Sequence, residues 1–300
     1  MRAALLLLVV GLAGAEPPAP MRVIVSARTF ARVNPNDGLA ALKIWGRQLA
    51  LVHKLGFEPR IEIIGALDEM RARLRQHSVD VLILDAVDYL ALDDEHLVEP
   101  VLTASRDGHA AQRAYLLLGP PGMAELQLQE LRGSKVAVFS RTGSQVGMVW
   151  LETVLAEQHL GPAASFFSEV QSVERSTQCV LALYFGRVRA CVIDDQLFET
   201  AREMNPQLNR LSVLMRSAAF VEGVMAVPVG MASKLRELTV SILGETRLPG
   251  GSQILTIFHS GPPVPATART FAPLRELFRK YRRLVGDPLL VGARSPRAVN

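Results

Sequence analysis

The sequence has little of what usually betrays a chemistry. It holds two cysteines in 300 residues, Cys179 and Cys191, and neither sits in a CxxC pair or near a histidine at metal-ligand spacing, so no cysteine metal centre is encoded. A surplus of one charge is missing as well: 33 Lys and Arg against 29 Asp and Glu leave +4, too small and too evenly spread an excess for a nucleic-acid binder. After the opening residues no run approaches eighteen uninterrupted apolar positions, which excludes a transmembrane helix there. GxxxxGKS or GxxxxGKT, GxGxxG after a strand, HExxH and GxSxG are all absent. The six histidines, at 53, 77, 96, 109, 159 and 259, include no i, i+4 pair, so neither a metal site nor a cofactor is expected. No short repeat of fixed period exists, which excludes a solenoid.

What is present is the balance of a soluble globular protein of about two domains, 49% hydrophobic and 21% charged. Met1 and Arg2 lead into an apolar run, residues 3–12, and then Ala13-Gly14-Ala15, which reads as a secretory signal over residues 1–15 with an A-x-A-like cleavage site. Cleavage after Ala15 leaves 285 residues at net +3, since Arg2 departs, with residues 16–21 as a short leader. An uncleaved membrane anchor is the competing reading. No cysteine follows the apolar run, so lipid attachment is not expected.

Strand-like and helix-like patterns alternate, the signature of α/β units. Strands are expected at residues 22–27, 59–64 and 79–84, with helices at 37–55 and 67–76; two extended runs fill 98–118, and Gly119-Pro120-Pro121-Gly122 then breaks the chain. A second set follows, with helix 124–131, strand 135–139, helix 145–158, strand 164–169, helix 173–185, strand 189–193 and helix 194–204. Residues 210–215 and 220–228 read as extended, and 231–243 and 268–284 as helices.

The most informative stretch is the strand Lys135-Val136-Ala137-Val138-Phe139, which runs into Ser140-Arg141-Thr142-Gly143-Ser144 and then a helix. Backbone N–H groups, hydroxyls and the positive end of a helix dipole meet there, and Gly143 permits close backbone approach while Arg141 offers a charged fork. That combination binds anions; the alternative is that Thr142 or Ser144 simply caps the helix. Four or five charge-assisted hydrogen bonds supply about 6 to 15 kcal/mol gross, against about 8 needed for micromolar affinity, so reversible capture suffices without catalysis. No residue pairs as nucleophile and base, and the protein is not expected to be an enzyme.

Other strand ends offer an opposite wall. Arg28 and Tyr89, after the first and third strands, are the candidates; the alternative is that Tyr89 packs and that Asp85 or Asp88 caps the next helix. Asp194 at a later strand end either accepts a proton from the ligand or caps the next helix. Cys179 falls in a helical pattern and Cys191 in a strand; an oxidising compartment permits a bond between them, and two separate buried thiols is the other reading.

These residues carry a resemblance. The leader, RTFARVNPND from Arg28, Val79-Asp80 with Asp88-Tyr89-Leu90, Gly133-Ser134-Lys135-Val136-Ala137 before the hydroxyl-rich turn, and Tyr184-Phe185-Gly186 through Asn205-Pro206-Gln207 resemble the solute-binding proteins of phosphate, phosphite and phosphonate ABC importers. The resemblance implies the two-lobed type II periplasmic-binding-protein fold, an α/β architecture with a mostly parallel sheet in each lobe and a hinge of two extended crossovers. It implies lobe 1 over residues 22–117, lobe 2 over 118–224, a return to lobe 1 with C-terminal helices over 225–285, and a loose tail over 286–300. Ser140, Thr142, Gly143 and Ser144 then occupy the oxyanion-cradling turn, Tyr89 faces it and Asp194 lies near the ligand's polar end. The implied partners are a small anionic ligand and the importer's membrane permease, with the protein an extracytoplasmic monomer; a sensing subunit that signals to a membrane kinase or cyclase is the alternative. The sequence departs from the family at Arg141, which interrupts the small hydroxyl residues, and at Gly65-Ala66-Leu67, where an aromatic residue is usual.

Overall fold

The computed structural model describes residues 20–30, 33–55, 59–140, 145–247 and 250–286. Strand β1 (Arg22–Ser26) carries Val23, Ile24 and Val25 into the core, and a 3-10 turn at Ala27–Phe30 leads on towards α1 (Pro35–Val52). Asn34 caps that helix by accepting the N–H groups of Asn36 and Asp37, and Pro35 fits the first turn because no amide donor is needed there. Leu42, Trp45 and Leu49 recur at helical spacing and form its buried stripe. Next come β2 (Arg60–Ile64), α2 (Leu67–Arg75), β3 (Val81–Asp85) and α3 (Ala86–Asp93). β4 (Val98–Arg106), the short β5 (His109–Ala110) and β6 (Gln112–Gly119) then carry the chain out of the first sheet into a second.

There β7 (Lys135–Phe139), α4 (Val146–Glu157), α5 (Ala163–Phe166), β8 (Glu169–Val173), α6 (Ser176–Tyr184), β9 (Ala190–Asp194) and α7 (Asp195–Met204) build the second unit. β10 (Ser212–Val221) runs back beside β6, and β11 (Gly223–Pro228) re-enters the first sheet between β3 and β4. α8 (Ser233–Leu243), α9 (Gly251–Ile257), β12 (Gly261–Pro265) and α10 (Ala272–Leu284) follow. The sheet orders are β12-β4-β11-β3-β1-β2, with β5 on β4, and β10-β6-β9-β7-β8.

Two α/β units joined by extended crossovers is the expected architecture. Both sheets are mixed: β2-β1-β3 and β8-β7-β9 are parallel, as β-α-β units require, whereas the strands that carry the chain out and back pair antiparallel. The crossovers lie side by side, with Gln112 opposite Val221.

Several local expectations are corrected. Residues 164–169 do not form a strand: Ala163–Phe166 is a helical turn, held by the Ala163 N–H on the Glu152 carboxylate at 3.0 Å, and pairing begins only at Glu169. The helix expected at 124–131 shrinks to a 3-10 turn, Leu128–Leu131. α9 and β12 were not anticipated. Cys179 and Cys191 are joined in a disulfide, with Cα atoms 5.8 Å apart, rather than standing as separate thiols. The packing of α6 on β9 stacks one cysteine over the other, a closeness that neither local pattern encodes.

One core runs through both units. Tyr89 of α3 lies against Phe271 with ring centroids 4.5 Å apart, and Leu274, Leu277 and Tyr281 of α10 continue the same apolar cluster to Trp150 and Val154 of α4. Each such buried side chain contributes about 1.5 to 3 kcal/mol. Ion pairs flank the seam: Arg275 reaches Asp93 and Asp94 of the first unit, and Lys280 reaches Glu157 of the second at 2.8 Å.

Candidate functional site

A cavity of about 230 Å³ opens where the two units meet at the crossovers. Its floor is the carboxyl end of β3 and the turn after β1, the position at which open α/β sheets bind ligands. Arg28, Thr29 and Asp85 come from these ends, Arg106 and Arg113 from either end of the outgoing crossover, and Glu222 from the returning one. The second unit contributes Tyr115 and Phe139.

Most of these polar groups have partners. Arg28 Nη1 stands 3.3 Å from Asp88 Oδ1, its own N–H donates to Ser26 Oγ at 3.3 Å, and Ser26 donates in turn to the buried Asp88. Arg113 pairs with Glu222 at 2.5 Å and lies 3.6 Å from Asp194. Arg106 is exposed at the mouth and has no acidic partner among the described residues. Asp85 caps α3, accepting the Val87 N–H at 2.8 Å. Burial, reinforced by the nearby Asp88 and Glu222 carboxylates and opposed by the Val87 N–H and Arg28, pushes its carboxyl up to about 7. At neutral pH this group is therefore partly protonated, and the three guanidiniums outweigh the remaining negative charge of the lining.

The candidates from the sequence separate into three groups. Arg28 lines the cavity. Ser140 follows the lining residue Phe139, and its N–H extends the β7-β8 pairing to Val173 O at 3.0 Å, whereas Arg141, Thr142, Gly143 and Ser144 lie outside the described residues. Tyr89 and Asp194 do not line the cavity. Because α3 starts at Ala86, Tyr89 turns down onto Phe271 and is fully buried; desolvation, with Asp93 nearby, pushes its phenol pKa up, so it packs rather than faces the cleft. Asp194 is buried and caps α7 through Leu197 N–H at 3.0 Å, and its link to the cavity is Arg113.

Sequence reasoning missed Arg106, Arg113, Glu222 and the apolar wall from α9 and its following turn, Leu255 and Phe258. The signal for the wall was present in Ile254-Leu255 and Ile257-Phe258 between Gly250-Gly251 and the prolines at 262, 263 and 265. Four of the histidines have a plain role: His77, His96, His159 and His259 each hold a left-handed backbone conformation just after a helix or turn. Among the described residues, no group of three His, Cys, Asp or Glu could hold a metal, and no helix is long and apolar enough to cross a membrane.

The sequence model of a protein family described as ABC transporter, phosphonate, periplasmic substrate-binding protein matches residues 48–271. The chain belongs to this family. A phosphonate-type substrate-binding protein of an ABC transporter is a periplasmic carrier and not an enzyme. Solved structures share the two-lobed fold. A Xanthomonas citri protein bound to ATP is 16% identical with a TM-score of 0.64, covering 88% of this chain and 97% of its own. PhnD1 from Prochlorococcus marinus, in complex with methylphosphonate, is 14% identical with a TM-score of 0.58, over 88% and 98%. A binding protein component of an ABC phosphonate transporter from Pseudomonas aeruginosa is 11% identical with a TM-score of 0.58, over 88% and 87%. No curated protein matches the chain in sequence.

Proposed function

We propose that the protein captures a small oxyanion of the phosphonate, phosphite or phosphate type between its lobes and delivers it to the permease of an ABC importer. Ser140 through its hydroxyl, and residues 141–144 through backbone N–H groups and hydroxyls, cradle the anion, and Arg28 and Arg106 supply positive charge from the other side. The observation that carries this reading is that Phe139 lines the cavity, so the connection from β7 to α4 starts at the cleft that holds both arginines. The two lobes, one built on each sheet, close about the paired crossovers.

Residues 1–15 act as the export signal. N-terminal sequencing of the secreted protein should begin at Glu16; a start at Met1 would contradict export by cleavage. Calorimetry against phosphate, phosphite, methylphosphonate and sulfate tests the capture itself. Binding of at least one of the phosphorus oxyanions is expected, and silence from the whole panel overturns the reading.

A further inference from the structure

The cavity is larger and more apolar than a bare oxyanion needs. About 230 Å³ is room for roughly eight waters at ~30 Å³ each, whereas an ion of five heavy atoms, such as methylphosphonate, takes the space of about two or three. Much of the cavity's lining is apolar. Ile83, Ala104, Phe139, Met225, Leu255 and Phe258 all line it, and all six are partly exposed rather than sealed in the core. They come from five separate places: β3, β4, β7, β11, and α9 with its following turn. Water against such a wall is displaced favourably by an apolar group, each methylene tightening binding about fourfold. Arg28, Arg106 and Arg113 come from the sheet ends and the crossover, whereas Leu255 and Phe258 come from the segment after α8.

We infer that the natural ligand is an amphipathic organic anion, a phosphonate-type head on an aryl or branched-alkyl body, and that the wall formed by Ala104, Met225, Leu255 and Phe258 selects for that body. The inference rests on the capture of an oxyanion proposed above and adds the class of its substituent. Ala104 is an informative position, because it is exposed and lines the cavity, so that a larger side chain there takes up cavity space; Arg106 follows two residues on along the same strand, whereas Leu255 approaches from a different element.

The test is calorimetry of the secreted protein with methylphosphonate, phenylphosphonate and benzylphosphonate, repeated on Ala104→Phe and, should that variant fold poorly by circular dichroism, on Leu255→Trp. The aryl phosphonates are expected to bind at least tenfold more tightly than methylphosphonate, and the cavity-filling variant to bring that ratio below threefold. Equal affinities for all three ligands, or an undiminished ratio in the variant, overturn the inference and leave oxyanion capture standing. Silence from all three in the unmodified protein, together with silence from phosphate and phosphite, overturns both.

Discussion

Arg113 on the outgoing crossover and Glu222 on the returning one form an ion pair at 2.5 Å, and the same guanidinium lies 3.6 Å from the buried carboxylate of Asp194. One cation thus ties the hinge to the start of α7. The two acids differ in burial: the side chain of Asp194 is 1% exposed, that of Glu222 36%. Removing the cation takes a positive charge 3.6 Å away from the buried Asp194 carboxylate, which should cost more than neutralising the more exposed Glu222, worth about 1 kcal/mol or less. Urea denaturation of Arg113→Met and Glu222→Gln should show that order; equal losses would contradict it.

The Asp85 carboxyl gives the cleft a pH response. Its pKa is raised from the ordinary 3.8 to about 7, so between these values the folded protein holds a proton that the unfolded chain has released. The corresponding stability is complete below about pH 4 and is lost as pH rises through about 7. Asp85→Asn keeps an acceptor for the Val87 N–H but cannot ionise. The variant should therefore gain stability over the parent at pH 8 and not at pH 4, measured by thermal melts across that range. A protonated Asp85 also donates to an anion where an ionised one repels it, so phosphonate affinity should fall above pH 7 in the parent and stay flatter in the variant.

The α/β alternation and the break at Gly119-Pro120-Pro121-Gly122 were legible in the sequence because each rests on local periodicity or on turn chemistry, whereas the return to the first sheet came only with the family resemblance. Arg28 was legible for a similar reason, since strand ends in parallel sheets meet ligands. Tyr89 was not: whether a residue one turn into a helix faces a cleft or a neighbouring element depends on Phe271 and α10, which lie more than 180 residues later in the chain. Arg113 and Glu222 escaped notice because the crossovers become neighbours only when the sheets form, and α9 because seven residues bounded by glycines give too short a pattern.

Because one core links both units through α10, unfolding should be a single cooperative transition. Phe271 is fully buried against Tyr89, so Phe271→Ala should cost about 3 to 5 kcal/mol and lower the whole transition. Calorimetric scans that resolve two peaks, only one of them shifted, would show independent lobes instead.

The Cys179–Cys191 bond closes a short loop, a separation of 12 residues, and stabilises by about 3 kcal/mol in the chain-entropy account. Titration of the unfolded, unreduced protein should find no free thiol. Reduction, or the paired change Cys179→Ala with Cys191→Ala, should lower the denaturation midpoint by a corresponding amount; an unchanged midpoint would contradict a structural role.

Whether residues 140–144 hold the anion is decided by calorimetric titration of Thr142→Ala with the best-bound phosphonate. Loss of one hydrogen bond to a charged group should weaken binding by about 1 to 3 kcal/mol, roughly five- to 150-fold, while the melting temperature of the ligand-free protein stays where it was. Unchanged affinity alongside a lowered melting temperature would mean that the threonine serves only as a helix cap.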